Sequence, residues 1–308
     1  MNCPQVTIIV PIYNGSAYLL ETLNSLLLQT FRNFELLAID DGSTDASSDL
    51  VRSVKDERVR LMQRENGGLC GALNLGIAEA KAPYIARCDQ DDISLPERLA
   101  RQLQLMEDSP EAVALFTYNT KFGTKRHWSN ADKLIMAAGQ LKGYDPIKDG
   151  CMLGSTMFAP TAVLRSIGGF RQSYYPADDL DLECRLSQVG KVLILREPLV
   201  AYRFQTGAST YRVFADMREK SHWARNSYWR RLQGLPELTL EQFRLAQAND
   251  LWSRMGRYCR DFSKLHMRIA GQRFLDGRNL AAFAHLVQAI LADPSDIVGR
   301  IGRYFSHT

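Results

Sequence analysis

The sequence has no apolar segment long enough to cross a bilayer. None of its apolar runs approaches the ~20 residues that a membrane-spanning helix needs. The first run, at residues 6–12, has no basic segment before it and ends in Tyr13 and Asn14, so we interpret it as a strand and not as a secretion signal. The 6 cysteines lack C-x-x-C spacing, which argues against a zinc site and predicts reduced thiols in a cytoplasmic protein.

Two common phosphate-binding motifs are missing as well. Dinucleotide-dependent enzymes need G-x-G-x-x-G after the first strand, where a helix N-terminus meets the pyrophosphate, but residues 11–16 contain a single glycine. No G-x-x-x-x-G-K-[ST] sequence occurs either. Rossmann dehydrogenases and P-loop NTPases are therefore disfavoured. A divalent cation can hold a diphosphate in place of the missing cradle.

The most informative feature that is present is an acidic cluster. Asp89, Asp91 and Asp92 follow an apolar run at residues 82–86. Carboxylates this close repel one another, and a cation relieves the repulsion. Oxygen ligands of this kind suit Mg²⁺ or Mn²⁺ shared with a substrate phosphate. Taken alone, however, the cluster is also compatible with an acidic turn that caps the following helix.

The N-terminal half alternates short β-branched runs with helical patterns. The predicted strands are residues 6–10, 34–39, 59–62, 84–86 and 112–118. The predicted helices run from Ser16 to Thr30, from Asp45 to Val54, from after Gly68 to Ala80 and from Pro96 to Glu107. This alternation predicts an α/β fold with a parallel sheet and right-handed crossovers.

Polar clusters follow three of the predicted strands. They are Tyr13 with Asn14, Asp40 with Asp41, and Asp89 with Asp91. Ligands of open α/β sheets bind outside the carboxyl ends of the strands, so these clusters should line one rim although they are far apart in sequence. The acidic cluster is therefore predicted to be part of a binding site.

Residues 6–45, 65–99 and 166–186 resemble, in this order, three motifs of the family-2 glycosyltransferases with the GT-A fold. The resemblance implies a doubly wound, mostly parallel sheet over residues 1–205, with a Rossmann-like nucleotide-binding half and an acceptor half. It also implies a metal-dependent enzyme that moves a hexosyl or N-acetylhexosaminyl group with inversion. The donor is expected to be a nucleotide-diphosphate sugar such as a UDP-sugar, and the acceptor a hydroxyl group.

The same resemblance assigns the binding residues. It places the nucleotide contacts at Pro11, Tyr13, Asn14, Asp41, Asp89 and Gln90. Asp41 corresponds to the residue that binds uracil, and Asp89 to the one near the ribose. Asp40 is expected to shape the turn, and helix capping is the alternative role for Asp40 and Asp41. Tyr13 is expected to stack near the base, with packing at the rim as the alternative. Asp91 corresponds to a direct ligand of Mn²⁺ or Mg²⁺, whereas Asp92 is expected to orient the loop, with a metal-binding role as the alternative.

One position departs from the pattern of the family. Many members carry Tyr-Arg-x-His after the last core strand, and that histidine helps to hold the metal or the diphosphate. This chain has Gln205 there. Its carbonyl oxygen is a candidate metal ligand, but it binds Mn²⁺ less well than imidazole does.

The predicted general base lies at the start of a helix near residue 178. In the resembled motif, Asp179 falls at the base position and Asp178 replaces a glutamate. The helix dipole there would lower their pKa values, whereas mutual repulsion and burial would raise them. The alternative role for both is a plain helix cap. Asp181 is expected to form a structural salt bridge with Arg185.

The last third of the chain differs in charge from the rest. Residues 1–200 contain 21 Lys and Arg against 25 Asp and Glu, but residues 201–308 contain 17 against 9. From residue 206 onward we predict a basic α-helical region in which tryptophans alternate with arginines. That mixture suits contact with an anionic membrane, unless the aromatic rings pack inside the protein. Nucleic acid is not an expected partner because no recognition motif accompanies the charge.

Three functional hypotheses follow from these patterns. The first is a cytoplasmic transferase, peripheral at the inner membrane face, which acts on a carbohydrate or lipid-linked acceptor in surface polysaccharide or glycolipid synthesis. The second is a catalytically silent protein that binds nucleotide-sugars or acts as a scaffold, and Gln205 is its only support. The third is a membrane adaptor that uses the basic region and needs no metal.

Overall fold

The structure is a computed structural model that describes residues 3–122, 127–128, 141–203, 214–248, 251–275 and 277–293. The chain divides into two units. The first comprises residues 1–121 and 129–203, and the second comprises residues 122–128 and 204–308.

The elements are numbered along the chain. The strands are β1 Val6–Ile12, β2 Phe34–Asp40, β3 Val59–Gln63, β4 Tyr84–Arg87, β5 Ile93–Ser94, β6 Ala112–Phe122, β7 His127–Trp128, β8 Leu141–Gly143, β9 Phe158–Pro160 and β10 Lys191–Arg203. The α-helices of the first unit are α1 Leu19–Leu27, α2 Ser47–Ser53, α3 Leu69–Glu79, α4 Arg98–Glu107, α5 Thr161–Ser166 and α6 Asp178–Val189. Those of the second unit are α7 Phe214–Leu232, α8 Leu240–Ala248, α9 Leu251–Leu275 and α10 Asn279–Ala292.

A mixed sheet organises the first unit, and the predicted α/β class is confirmed. Its strand order is β3-β2-β1-β4-β9-β6-β10-β5. The strands β3, β2, β1 and β4 pair in parallel, as the βαβ pattern predicts. From β9 onward the sheet changes character, because β9 pairs antiparallel with both β4 and β6, and β5 pairs antiparallel with β10. The parallel strands β3, β2, β1 and β4 therefore form the half of the sheet in which the sequence predicts the nucleotide site.

The sheet is covered on both faces, and β1 is buried along its whole length. Ile8 belongs to the hydrophobic core that contains Leu23 of α1, whereas its neighbour Ile9 belongs to the core on the other face. Gly76 of α3 lies against Ile9, since a Cβ atom there would be 2.6 Å from Ile9 Cγ2. Because successive residues of β1 face opposite cores, the register of the strand is fixed. Its carboxyl end lies at the site described below.

Two helices are shorter than predicted because their first residues bond elsewhere. Ser16 does not cap α1, which begins at Leu19; instead its N–H donates to Asp45 Oδ2 at 3.0 Å. Pro96 does not open α4, which begins at Arg98. The carbonyl of Pro96 accepts the N–H of Thr30 at 2.8 Å and so belongs to the loop. Contacts between loops therefore replace the first helical turn in both places.

The second unit is helical where it is described after residue 213, as predicted, and α9 packs against α10. No helix in the described part of the chain combines the length and apolar character that spanning a bilayer requires. Residues 204–213 lie outside the described part, so the predicted boundary between residues 205 and 206 stays a prediction.

Candidate functional site

The carboxyl ends of β1, β2 and β4 bring the predicted polar clusters together. In the parallel register, Ile12 at the end of β1 is opposite Asp40 at the end of β2. The loop after β1 is bonded to the loop after β4, since the N–H of Tyr13 donates to Gln90 Oε1 at 2.9 Å. The amide of Gln90 returns a bond to the carbonyl of Tyr13 at 3.1 Å.

The loop after β1 is also bonded to the loop after β2, through Asn14. Its N–H donates to Ser43 Oγ at 3.0 Å, and its side-chain oxygen accepts the N–H of Thr44 at 2.8 Å. Asn14 has a φ of 49°, a left-handed conformation that asparagine tolerates better than most residues. The convergence of the three clusters on one rim is thereby confirmed.

The predicted nucleotide-binding residues differ in how open they are. Pro11 is buried within β1, whereas the Tyr13 side chain is 48% exposed at the rim. Asp41 is buried, and its carboxylate accepts the N–H groups of Gly67 and Gly68 at 3.0 and 2.8 Å. Arg64 pairs with the same carboxylate at 3.1 Å. Asp41 thus fixes the loop that precedes α3, and a carboxylate with about four acceptor positions can still accept another donor.

Asp92 is a structural member of the acidic cluster. It is fully buried, accepts the hydroxyl of Ser155 at 2.5 Å and accepts the N–H of Arg203 at 3.0 Å. Burial, followed by the charges of Asp89 and Asp91, raises the pKa of Asp92 to about 8. These bonds tie the loop after β4 to Ser155 and to the end of β10, as expected of a residue that orients the loop.

Asp89 is held by a buried cation, Arg87, at the end of β4. The guanidinium is 2% exposed, and it donates from Nε to Asp89 Oδ1 at 2.8 Å and from Nη2 to Asp89 Oδ2 at 3.3 Å. The Ser155 hydroxyl accepts the N–H of Asp89 at 2.9 Å. Both oxygens of the Asp89 carboxylate are therefore engaged, and its position is set by β4 and by the short helical turn Gly154–Thr156.

The same guanidinium reaches the predicted base. Arg87 Nη1 lies 2.5 Å from Asp179 Oδ1, although the two residues are 92 positions apart. Burial would lower the pKa of Arg87, but the charges of Asp179 and Asp89 outweigh it and raise that pKa above its usual value. Burial raises the pKa of Asp179, and the charge of Arg87 opposes the rise. The structure thus joins the acidic cluster to the start of α6.

Arg87 bonds directly to Asp179 and not to Asp178, the first residue of α6, although its charge still opposes the rise in the pKa of Asp178. The Asp178 side chain is buried, and Oδ2 has no hydrogen-bond partner among the described residues. Burial and then the charge of Asp179 raise the pKa of Asp178 to about 7. Because the two carboxyl groups are neighbours, they titrate as a pair, and the proton they share is better placed on the member without a direct cation partner.

Asp181 plays the structural part that was expected. It is fully buried, and its Oδ2 accepts Arg185 Nε at 2.9 Å. Arg171 donates to the same carboxylate from Nε at 2.9 Å. The predicted salt bridge with Arg185 is confirmed, and Arg171 adds a second cation that the sequence did not indicate.

The carboxylates of Asp89 and Asp92 are engaged by other groups of the protein. No group of three or more His, Cys, Asp or Glu residues that could hold an ion occurs within the described ranges. The carboxylates of Asp89 and Asp92 are already bonded to Arg87, Ser155 and the Arg203 backbone. Asp91 is half-buried, and one carboxylate with the phosphates of a substrate is a common Mg²⁺ donor set. Gln205, the other predicted ligand, lies outside the described residues.

Sequence patterns did not single out Arg87. A signal for Arg87 exists in hindsight, because a cation inside a buried strand is rare unless it is paired. Arg87 ends the apolar run that leads into Asp89, and a cation in that position predicts carboxylate partners.

Part of the aromatic and cationic cluster on α7 packs and pairs within the second unit. Trp223 is buried, and its indole N–H donates to the carbonyl of Leu238 at 2.8 Å. Three of the nearby cations pair with carboxylates: Arg218 with Asp261, Lys220 with Asp216, and Arg231 with Glu237. Trp229 is exposed. These contacts within the second unit favour the packing alternative for most of the cluster.

The sequence matches known proteins over much of its length. Residues 7–166 match the family described as "Glycosyl transferase family 2". An uncharacterized glycosyltransferase of Rickettsia prowazekii is 27% identical over 221 residues, covering 70% of this chain and 69% of the relative. Another from Rickettsia felis is 27% identical over 209 residues, which is 66% of this chain but 35% of the relative. The chain thus spans about a third of the length of some curated relatives.

Solved structures share the fold at low identity. Staphylococcus aureus TarS 1–349 in complex with UDP-GlcNAc matches with a TM-score of 0.59 at 16% identity, over 96% of this chain and 92% of that one. The complex of TarS 1–349 with UDP gives a TM-score of 0.56 at 17% identity, with the same coverage. At this identity the likeness concerns the arrangement of strands and helices.

Proposed function

The chain belongs to glycosyl transferase family 2, and from that premise we propose that it transfers a sugar from a nucleotide-diphosphate donor to an acceptor hydroxyl with inversion. The observation that carries the proposal is the guanidinium of Arg87, which bonds to Asp89 in the acidic cluster and to Asp179 at the start of α6. A single displacement requires a donor-binding loop and a carboxylate that acts as general base, and both are held at one rim.

In the proposed reaction the acceptor oxygen bonds to the anomeric carbon as the bond from that carbon to the diphosphate oxygen breaks. Asp179 takes the proton of the acceptor hydroxyl, a role typically worth ~10²–10⁴ in rate. Because the displacement occurs in one step, no enzyme nucleophile is needed. The proton that the pair shares is placed on Asp178, because Arg87 bonds directly to Asp179 and favours the ionised form of that carboxyl group.

The donor is proposed to be a UDP-sugar. TarS, which shares the fold, has been solved with UDP and with UDP-GlcNAc. In this chain the exposed ring of Tyr13 would stack on the base, and Asp41 would accept a hydrogen bond from it. Asn14 and Gln90 would shape the same end of the site, since they bond the loops after β1, β2 and β4 to one another.

A divalent ion is proposed as the cofactor, with Asp91 as its protein ligand and Gln205 as a second candidate. The chemistry that Mg²⁺ or Mn²⁺ supplies when bound is neutralisation of the charge on the departing diphosphate. Asp89 would face the ribose and not the ion, since both of its carboxylate oxygens bond to Arg87.

Two substitutions test these roles separately. Calorimetry with UDP and Mn²⁺ measures binding, and release of UDP from a panel of UDP-sugars measures turnover. We expect Asp91→Ala to abolish turnover and weaken Mn²⁺-dependent UDP binding, and Asp179→Asn to abolish turnover with UDP binding intact. Asp49→Asn is a matched control, because that carboxylate is exposed on α2 and pairs only with Arg52 among its described contacts. Full activity in either site variant would disprove the role given to that residue.

The acceptor is proposed to be a carbohydrate or lipid-linked hydroxyl in surface polysaccharide or glycolipid synthesis, handled at the cytoplasmic face of the membrane. Contact with an anionic membrane would involve exposed residues of the second unit such as Trp229. Sedimentation with phosphatidylglycerol vesicles tests this part. Equal sedimentation with neutral vesicles would count against it, and tight UDP binding without turnover of any donor would favour the catalytically silent alternative.

A further inference from the structure

Arg87 is placed differently from an ordinary buried cation. Its side chain is 2% exposed, yet the two carboxylates that it bonds, on Asp89 and Asp179, are 29% and 30% exposed. The charge is therefore buried behind its partners, and the partners reach solvent. Removing a guanidinium from water costs several kcal/mol unless its donors are well used, and here Nε, Nη1 and Nη2 all donate to carboxylate oxygens.

A structural ion pair on the same helix shows the opposite arrangement. Asp181 has a fully buried carboxylate, and its partner Arg171 is 30% exposed. There the cation covers an acid that no ligand can reach. At Arg87 the cation is buried beneath two carboxylates, and the other sides of those carboxylates remain exposed to solvent. This reversal is expected of a residue that orients groups for use and not of one that merely neutralises a buried charge.

The surroundings of Arg87 restrict the guanidinium to one position. Gly154 lies directly against it, since a Cβ atom at Gly154 would be 2.5 Å from the Arg87 Cζ and Nη1 atoms. The ring of Phe170 lies on the guanidinium at 5.5 Å between Cζ and the ring centre. Its backbone is fixed too, since the carbonyl of Arg87 accepts Arg98 Nη2 at 2.8 Å. A fixed cation can hold two carboxylates at a constant separation, which a mobile side chain could not do.

We propose that Arg87 is a positioning residue, which holds the base Asp179 and the donor-binding Asp89 on one guanidinium so that both keep a fixed geometry at the rim. The proposal rests on the proposed function, because it deepens the assignment of Asp179 as base. Its chemical consequence is that Asp179 stays ionised and aimed while Asp178 takes the shared proton. Arg87 itself is buried behind the two carboxylates and would act through them.

Two variants disturb this arrangement in different ways. Arg87→Lys keeps a positive charge but cannot bond two carboxylates with a planar fork. Gly154→Ala keeps Arg87 and both carboxylates but forces the guanidinium to move. Arg171→Lys is the matched control, since it weakens the ion pair with Asp181 on the same helix without touching Asp179. Unfolding in urea shows that each variant is folded before activity is measured.

The decisive measurement is the pH dependence of kcat/KM with the UDP-sugar that the wild type turns over fastest. We expect Arg87→Lys to lower kcat by about 10–100-fold and to move the acidic limb of the pH profile upward by about one pH unit, because a base that loses the direct hydrogen bond from its cation is deprotonated at higher pH. Gly154→Ala should move the limb in the same direction by less. Arg171→Lys should lower stability and leave the limb in place. An unmoved limb in both Arg87→Lys and Gly154→Ala would overturn the proposal.

A stability measurement separates this inference from the proposed function. The difference in free energy of unfolding between Asp179→Asn and its parent is measured from pH 5 to 8. It is measured once in the wild-type background and once in the Arg87→Lys background. If Arg87 holds the Asp179 carboxylate ionised, that difference becomes more dependent on pH once Arg87 is replaced. If no UDP-sugar is turned over, the proposed function fails, and this comparison still decides for or against Arg87.

Discussion

Replacement of Asp178 by asparagine should stabilise the protein more at high pH than at low pH. Asp178 is 4% exposed, its Oδ2 atom has no partner among the described residues, and the charge of Asp179 is next to it. An ionised carboxylate is unfavourable in that position. Asparagine keeps the shape of the side chain but cannot take the charge.

The size of the effect follows from the pKa of Asp178, which burial and Asp179 raise from 3.8 to about 7. Since the folded state binds this proton more tightly than the unfolded state, its stabilising contribution is complete below pH 3.8 and is lost as the pH rises to 7. At 1.36 kcal/mol per pH unit, wild type should lose about 2–3 kcal/mol relative to Asp178→Asn between pH 5 and pH 8.

Urea unfolding of both proteins at several pH values between 5 and 8 measures this difference. Asp45→Asn is a control in which the pKa of the replaced carboxyl group is shifted in the opposite direction. The small burial of Asp45 would raise its pKa, but the hydrogen bonds from Ser47 and Ser16 prevail and lower it. Asp45 is therefore ionised in both states throughout this range, and its substitution should destabilise by the same amount at every pH. If the Asp178→Asn difference is equally flat, the reasoning about the buried pair is refuted.

Three further substitutions address the fold and the nucleotide end. Gly76→Ala should lower the free energy of unfolding by about 1–3 kcal/mol in urea, because the new Cβ atom would lie 2.6 Å from Ile9 Cγ2; an unchanged value would show that α3 can move away. Gln90→Leu removes both hydrogen bonds to the main chain of Tyr13 and should raise the donor KM by about 5–10-fold in a UDP-release assay, whereas no change would separate that loop from the donor. Asp41→Asn should weaken UDP binding in calorimetry, and undiminished affinity would remove Asp41 from the nucleotide site.

The parallel half of the sheet could be predicted because its signals are local. The runs at β1 and β2 are buried on both faces, so they read as continuous apolar segments, and the helices between them show clear periodicity. Their order alone implies that the polar residues after each strand meet at one rim. The hydrogen bonds between Tyr13 and Gln90, 77 positions apart, confirm that inference.

The antiparallel half could not be predicted in the same way. Strand β9 is 3 residues long and β5 is 2, too short for any pattern to emerge. Both exist because tertiary pairing with β4 and β10 supplies the hydrogen bonds. The partners of Arg87 were missed for a related reason, since Asp179 follows it by 92 positions and only the folded sheet brings them together.

The family motif identifies the base only by its position in the sequence, and two adjacent aspartates lie there. The structure adds a physical argument, because it gives the two carboxyl groups different surroundings. Asp179 faces a fixed cation and is 30% exposed, whereas Asp178 is buried with an unpartnered oxygen and a pKa raised by burial to about 7. When the pKa values of neighbouring acids are driven apart in this way, the acid beside the cation keeps its charge and the other acid keeps the proton. A base must be ionised and reachable, and Asp179 meets both conditions better, which supports the role proposed for it independently of the family resemblance.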